Sequence, residues 1–229
     1  SGNNRFWFDT RPNLRREMED RCRRFNDRED VMPVIRERVQ KSLASGLFKH
    51  HVFTDHRDVP DDWDMRLVVL PPEAAFSNTG ANKAIEHAEL ALKNRGDTPR
   101  LKQNRLIFLA AEFNQVQRMR DQVRSTLAWQ SIVNDAREGR FNLDMFQMKQ
   151  AQQSLEQGQE TLRRTVREAY KWLLAPVQHA VKGKGLGKLE WETFALNPSA
   201  SNLTQEIERL LKENELLITE WAPIHLATM

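Results

Sequence analysis

Cysteine and tyrosine are almost missing from this chain, each occurring once in 229 residues. A single thiol, Cys22, excludes a disulfide framework and any cysteine-rich zinc module, and it fits a reducing, cytoplasmic compartment. Long apolar runs are missing as well. None approaches the ~20 residues that span a bilayer, and Ser1 to Thr10 has none of the pattern of a signal peptide, so no membrane partner is expected. Nor does one sign of charge dominate: 35 Lys and Arg stand against 32 Asp and Glu, a net charge of +3. A strong DNA-binding domain would gather its cations on one face, whereas here the two signs are interleaved, as on solvated helices laced with ion pairs.

The familiar catalytic signatures are also lacking. A P-loop needs two glycines with four residues between them, then Lys and a hydroxyl residue, so that backbone amides wrap the phosphates and the hydroxyl holds magnesium. In Lys182-Gly183-Lys184-Gly185-Leu186-Gly187-Lys188 the glycines Gly183 and Gly187 are one residue too close, Lys188 is followed by Leu189, and the loop precedes a strand instead of a helix. It reads as a mobile basic linker. Leu106 to Glu112 looks superficially like a Walker B strand, but two alanines separate the apolar run from Glu112 and no Asp adjoins it. Met65 to Leu70 with Glu73 resembles it equally superficially. His50 and His51 are adjacent on a strand and so face opposite ways, which denies them a shared metal. Cys22 sits on an apolar stripe with no histidine partner. No metal ligand set and no catalytic residue is assigned.

What is present is alternation of helix and strand. Leu14, Met18, Cys22 and Phe25 form one apolar stripe of a helix that runs to about Phe25, with Asp9 or Thr10 as its cap. Arg5 to Phe8 reads as a short strand. A second helix covers about Val31 to Ser45. Strands are expected at Leu47 to Phe53, Met65 to Leu70 and Arg105 to Ala111, with a helix from Ala81 to Asn94 between the last two. The unalternated run Leu106-Ile107-Phe108-Leu109 suits a strand covered on both faces, as in a parallel sheet. From Phe113 the chain is helical. Asn142 is placed as the cap of a long helix whose seam of Met148, Ala151, Leu155, Leu162, Val166, Ala169 and Leu173 follows a heptad-like spacing up to Leu174, with Gly158 as its weak point and Pro176 ending it. Leu189 to Leu196 alternates with period two as a strand does, and Ser201 to Leu217 is an amphipathic helix. The apolar residues from Trp221 to Met229 have no terminating signal, which reads as a piece of a longer protein.

The fold class expected is therefore α/β: a small, mostly parallel sheet covered by helices, with a long coiled-coil-like helical arm and a C-terminal strand plus helix. The divisions expected are an α/β domain over residues 1–136, the arm over 137–182, and a basic loop, strand and helix over 183–229 that complete the α/β part. The candidate nucleic-acid contacts are Arg15, Arg16, Arg23 and Arg24 of the first helix with Lys182, Lys184 and Lys188 of the loop. Glu17, Glu19 and Asp20 stand among those arginines and offset their field.

Several segments, in order along the chain, resemble one protein family. They are Arg5 to Leu14 (RFWFDTRPNL) with the Arg/Glu-rich helix behind it, Arg95-Gly96, Asn104 to Ala111 (NRLIFLAA), Val123 to Ile132 (VRSTLAWQSI), Arg167 to Pro176 (REAYKWLLAP) and Trp221-Ala222-Pro223. The family is that of large AAA+-type ATPases of bacterial and archaeal phage-defence loci, related to the BREX and phage-growth-limitation ATPases and carrying domains of unknown function. The resemblance implies a position downstream of the P-loop core, with ATP and magnesium bound by that preceding core and no cofactor here. None of the family's phosphate-binding residues maps onto this sequence. The function expected is an accessory, non-catalytic module that couples such an ATPase to its other domains, to DNA or to defence-system partner proteins. A nucleic-acid-binding module using the basic helix and loop is the alternative. A metal-dependent nuclease or hydrolase using Asp55, Glu73 and Glu112 at the carboxyl ends of the strands is a third reading.

Overall fold

The computed structural model describes residues 13–181, 185–200 and 202–217. The opening strand expected at Arg5 to Phe8 and the apolar end from Trp221 lie outside them. The chain forms two compact units, neither of them a continuous stretch: one takes residues up to Ile35 with Arg118–Thr165, the other Arg36–Gln117 with the chain from Val166 onward.

The second unit is built on a five-stranded sheet whose strands follow chain order: β1 (Lys49–Val52), β2 (Arg66–Val69), β3 (Leu106–Ala111), β4 (Tyr170–Val177) and β5 (Glu190–Ala195). β1, β2 and β3 pair in parallel, while β4 is antiparallel to both β3 and β5. Four strands thus run one way and β4 alone runs the other. The α/β class and mostly parallel sheet read from the sequence hold. β2 and β3 are buried along their whole length, the outcome their unalternated apolar runs predict.

One core lies where Val68, Leu70, Leu106, Phe108, Ala110 and Leu174 meet Ala84, Ala88, Ala91 and Leu92 of α3 (Lys83–Lys93). Three alanines on the buried stripe of α3 let its backbone approach the sheet closely. Phe108 is fully buried and meets Trp191 of β5 edge-on at 5.7 Å. Burying such a side chain contributes about 1.5–3 kcal/mol. Asn82 caps α3 by accepting from the Ile85 N–H. α6 (Leu203–Glu213) is capped by Asn202 and buries Leu203, Ile207 and Leu211 at spacings of four. Thr204 ties it down: its hydroxyl donates to Ala44 O at 3.1 Å and accepts from Ala44 N–H at 3.0 Å.

The other unit holds α1 (Leu14–Cys22) and long stretches of α4 (Phe113–Arg137) and α5 (Met145–Ala169). Here α4 and α5 are antiparallel: Ile132 and Val133 pack with Ala151 and Leu155, and further from the turn between the helices Thr126 meets Gly158. Leu14 of α1 joins that cluster. Gly139, with φ +72°, follows the end of α4 in the left-handed conformation that terminates helices. α2 (Met32–Ser42) continues a wide π turn over Asp27–Val31. Pro33 has no N–H to bond the preceding turn, and the ladder adjusts around it.

Three local expectations change. The first helix starts later, with Asn13 as its cap in place of Asp9 or Thr10, and it ends at Cys22 because Asn26 caps the next turn. Asp144, not Asn142, caps α5, accepting from Gln147 N–H at 2.7 Å. The long helix stops at Ala169, and Tyr170–Val177, read as its continuation, is strand β4. Leu173 matched the heptad by chance. The segment's aromatic and branched residues suit a sheet, and β3 has an unfilled edge that β4 completes. Pro176 is tolerated because it lies beyond Leu174, which pairs with Phe108, and so removes no bond to β3.

Candidate functional site

Sheets with parallel strands present ligand-binding residues beyond their carboxyl ends. At those ends here stand the three carboxylates singled out from the sequence: Asp55 after β1, Glu73 in the short turn Pro72–Ala74 after β2, and Glu112 directly after β3. Asp55 is engaged by its own loop. Its Oδ1 accepts from the Arg57 N–H (2.9 Å) and Nε (3.0 Å), its Oδ2 from the other guanidinium nitrogen (3.0 Å), and His56 Nδ1 faces it at 3.2 Å. The Arg57 hydrogen bonds hold this carboxyl far below the usual range.

Glu112 is enclosed more deeply, its side chain 12% exposed. Lys171 Nζ stands 2.8 Å from Oε2, and Trp172 Nε1 donates to the same oxygen at 2.9 Å. Burial raises this carboxyl, but the bonds from Lys171 and Trp172 outweigh burial and leave it below the ordinary range. The Glu112 backbone N–H donates to Ala169 O at 2.8 Å, and Phe76 packs against the Trp172 ring at 4.6 Å between centroids. Glu112 is therefore a clamp between the point where the chain leaves β3 for α4 and the point where it returns from α5 to β4. Lys171 and Trp172 carry this clamp, and the sequence reading missed both because it placed them in a helix. Their signal was the run Tyr170-Lys-Trp-Leu-Leu, rich in residues that favour strands. Among the described residues no three of His, Cys, Asp and Glu gather in a group that could hold a metal ion. Asp55 and Glu112 each answer to partners of their own.

The basic candidates fall in two places. Arg15, Arg16, Arg23 and Arg24 are all exposed on or just after α1, and Asn13, Arg15, Arg16, Glu19, Asp20 and Arg23 surround a shallow polar depression. Arg15 pairs with Glu19 at 3.1 Å and Arg23 with Asp20 at 3.4 Å. Arg16 and Arg24 make no ion pair among the described residues. Arg21 between them is buried and structural: it bonds Glu17 (2.7 Å), Ser131 (2.6 Å) and Asp135 (2.6 Å), and its guanidinium lies 5.3 Å from the Phe141 ring. Lys188 is exposed in the other unit, in the loop before β5, while Lys182 and Lys184 lie outside the described residues. That loop is not wholly free chain. Ala180–Val181 pairs with Gly185–Leu186, and Gly187 N–H donates to His179 O at 2.8 Å.

The remaining reactive side chains have structural settings. His51 Nε2 accepts from the Arg66 guanidinium at 2.8 Å, and Arg66 in turn bonds both oxygens of Asp62. Burial pushes His50 and His51 down, towards the neutral ring that such an acceptor requires. Cys22 is half-buried, and burial pushes its thiol up, away from the thiolate that reacts. No described helix is long and apolar enough to cross a membrane. Comparison with protein-family models, with curated proteins and with solved structures finds no match to this chain.

Proposed function

We propose that this chain is an accessory, non-catalytic α/β module of a large AAA+-type ATPase of the phage-defence kind, working in the cytoplasm and coupling that ATPase to DNA or to partner proteins. One observation carries the reading. Glu112, the carboxylate at the end of the central strand, where a nucleotide-hydrolysing sheet keeps its acid, has its Oε2 bound by both Lys171 and Trp172. An oxygen already bound by an ammonium and an indole N–H is a weak base and a poor metal ligand. This one instead holds the strand ends from which the helices α4 and α5 spring. ATP and magnesium then belong to the P-loop core implied by the resemblance.

The test is ATP turnover by the purified chain and by Glu112→Gln. Neither is expected to hydrolyse ATP, and Glu112→Gln is expected to lose about 1–3 kcal/mol of stability because Lys171 is left without its carboxylate. Turnover by the wild-type chain that Glu112→Gln abolishes while the protein stays folded defeats the proposal.

A second reading, nucleic-acid binding through α1, is favoured by the exposed Arg16 and Arg24, which make no ion pair among the described residues. Binding of single- or double-stranded DNA at low salt should then weaken steeply as salt rises, with a log–log slope of about −0.7 to −0.9 per phosphate contacted. Replacing Arg16 and Arg24 by Glu should reduce that slope. Binding that ignores both salt and these two residues rules out α1 as the interface.

A further inference from the structure

Beyond the carboxyl ends of β1 and β2 the sheet opens into a cleft of about 310 Å³, roofed by α3. Its size is at the lower end of small-molecule sites, enough for a ring system and little more. One wall is aromatic. Phe53, the residue after β1, takes φ +55°, a conformation that costs a phenylalanine of the order of 1–2 kcal/mol. It is held there by its N–H donating to Val69 O at 3.0 Å and by its ring stacking on Tyr170 at 6.0 Å. Leu70 lines the floor. Leu90 on α3 is 47% exposed, a large apolar side chain left in part to water at the cleft's edge.

The polar groups narrow the ligand class. Asp55 lines the cleft, but Arg57 and His56 already take its oxygens, so it offers little to an ammonium group. Among the described residues no Lys or Arg lines the space, so nothing inside it would clamp a carboxylate or phosphate. What remains is the Thr54 hydroxyl and the imidazoles of His56 and His87. His56 Nδ1 faces the Asp55 carboxylate at 3.2 Å, which leaves Nε2 as the ring nitrogen not engaged by Asp55. Flat apolar walls, room for one or two rings, and a hydroxyl and two imidazoles able to donate or accept match a planar heteroaromatic ring with N–H and C=O or ring-nitrogen edges.

We propose that this cleft binds a nucleobase, as a free nucleoside or nucleotide or as an unstacked base of a strand, with Phe53 and Leu90 against the ring and Thr54, His56 and His87 at its edges. The site shares no lining residue with the Glu112 clamp or with α1, so it stands or falls independently of the accessory role proposed above.

The full chain is titrated calorimetrically with adenosine, guanosine, cytidine and uridine, with benzamide and phenylacetate as aromatic controls, and with a short single-stranded oligonucleotide. One nucleoside is expected to bind one-to-one at up to about millimolar concentration. Leu90→Trp, which fills the cleft from an already exposed position, is expected to weaken it about tenfold or more. Phe53→Gly should do the same while keeping the fold, since glycine adopts the positive φ without strain. An oligonucleotide that binds more tightly and is displaced by the nucleoside identifies a strand as the source of the base. A nucleoside that binds while the oligonucleotide does not identifies a free nucleoside or nucleotide. The proposal is overturned if no nucleoside binds, if benzamide or phenylacetate binds as well as every nucleoside, or if both variants bind as the wild type does.

Discussion

Arg100 is the side chain on which most of the loop before β2 depends. Its side chain has no exposure, and its guanidinium donates to the carbonyls of Ala91 (2.9 Å), Pro60 (2.8 Å) and Val59 (3.0 Å), with His56 O at 3.5 Å. Burial works against its charge, and Asp61 at 4.0 Å offsets part of that cost. Five donors in a fixed fork suit this task, which a single ammonium cannot reproduce. Arg100→Lys should therefore cost about 2–4 kcal/mol, because at least two buried carbonyls lose their donor. Hydrogen exchange should quicken at the amides of residues 56–59 ahead of those in β3. Unchanged exchange in that loop would mean that its own turns, not Arg100, hold it.

Among the elements, the α4–α5 pair shows what Gly158 faces. Thr126 Oγ1 and Gln122 Nε2 both donate to Gly158 O at 3.2 Å, so α4 comes against the backbone of α5 here. A Cβ at 158 would meet Thr126 Oγ1 at 3.4 Å, an ordinary contact. Gly158→Ala should then stabilise the protein by up to about 1 kcal/mol through helix propensity, read as a higher urea midpoint. Gly158→Leu should destabilise it, since the added carbons have only Thr126 to enter. If alanine destabilises as leucine does, the two hydrogen bonds to the Gly158 carbonyl matter more than the propensity. The seam Ala151, Leu155, Leu162, Val166 and Ala169 was legible in the sequence because a 3.6-residue period survives any tertiary arrangement. The end of that helix was not, since Tyr170 and Leu173 fit a helical stripe and a strand equally well.

Across the whole molecule, the ionisable groups combine into one pH response. Burial lowers His50 and His51, so the unfolded chain binds protons before the folded one does. Their contribution is complete above about pH 6.5 and is lost as pH falls below it. Asp62 and Asp135 are held below the usual carboxylate range by hydrogen bonds from Arg66 and Arg140. Asp61 and Glu112 are raised by burial but brought below it by the Leu101 and Lys102 N–H groups and by Lys171 and Trp172. Folded carboxyls that are depressed contribute stability above the unfolded value of about 4 and lose it as pH falls through their lower folded values. Urea midpoints at about pH 7.5, 5.5 and 3.5 should fall at each step, the larger loss coming in the second. A midpoint that does not change between the first two would show that the two histidines are already free to take protons in the folded chain.

The sequence by itself determined that this is an α/β protein, where β2, β3, α3 and α6 lie to within a few residues, and that the basic residues of α1 are interleaved with acids. Those are properties of neighbours along the chain, and periodicity, caps and charge spacing report them directly. Only the tertiary structure decided that Tyr170–Val177 is a strand, that Glu112 belongs to Trp172 sixty residues away, and that Phe53, His56 and His87 line one cleft. Each of these depends on which strand edge is left unpaired and which buried carboxylate needs a donor. Both are set by contacts between distant segments, and a local pattern such as Tyr170-Lys-Trp-Leu-Leu, which fits a helical stripe as well as a strand, does not decide between them.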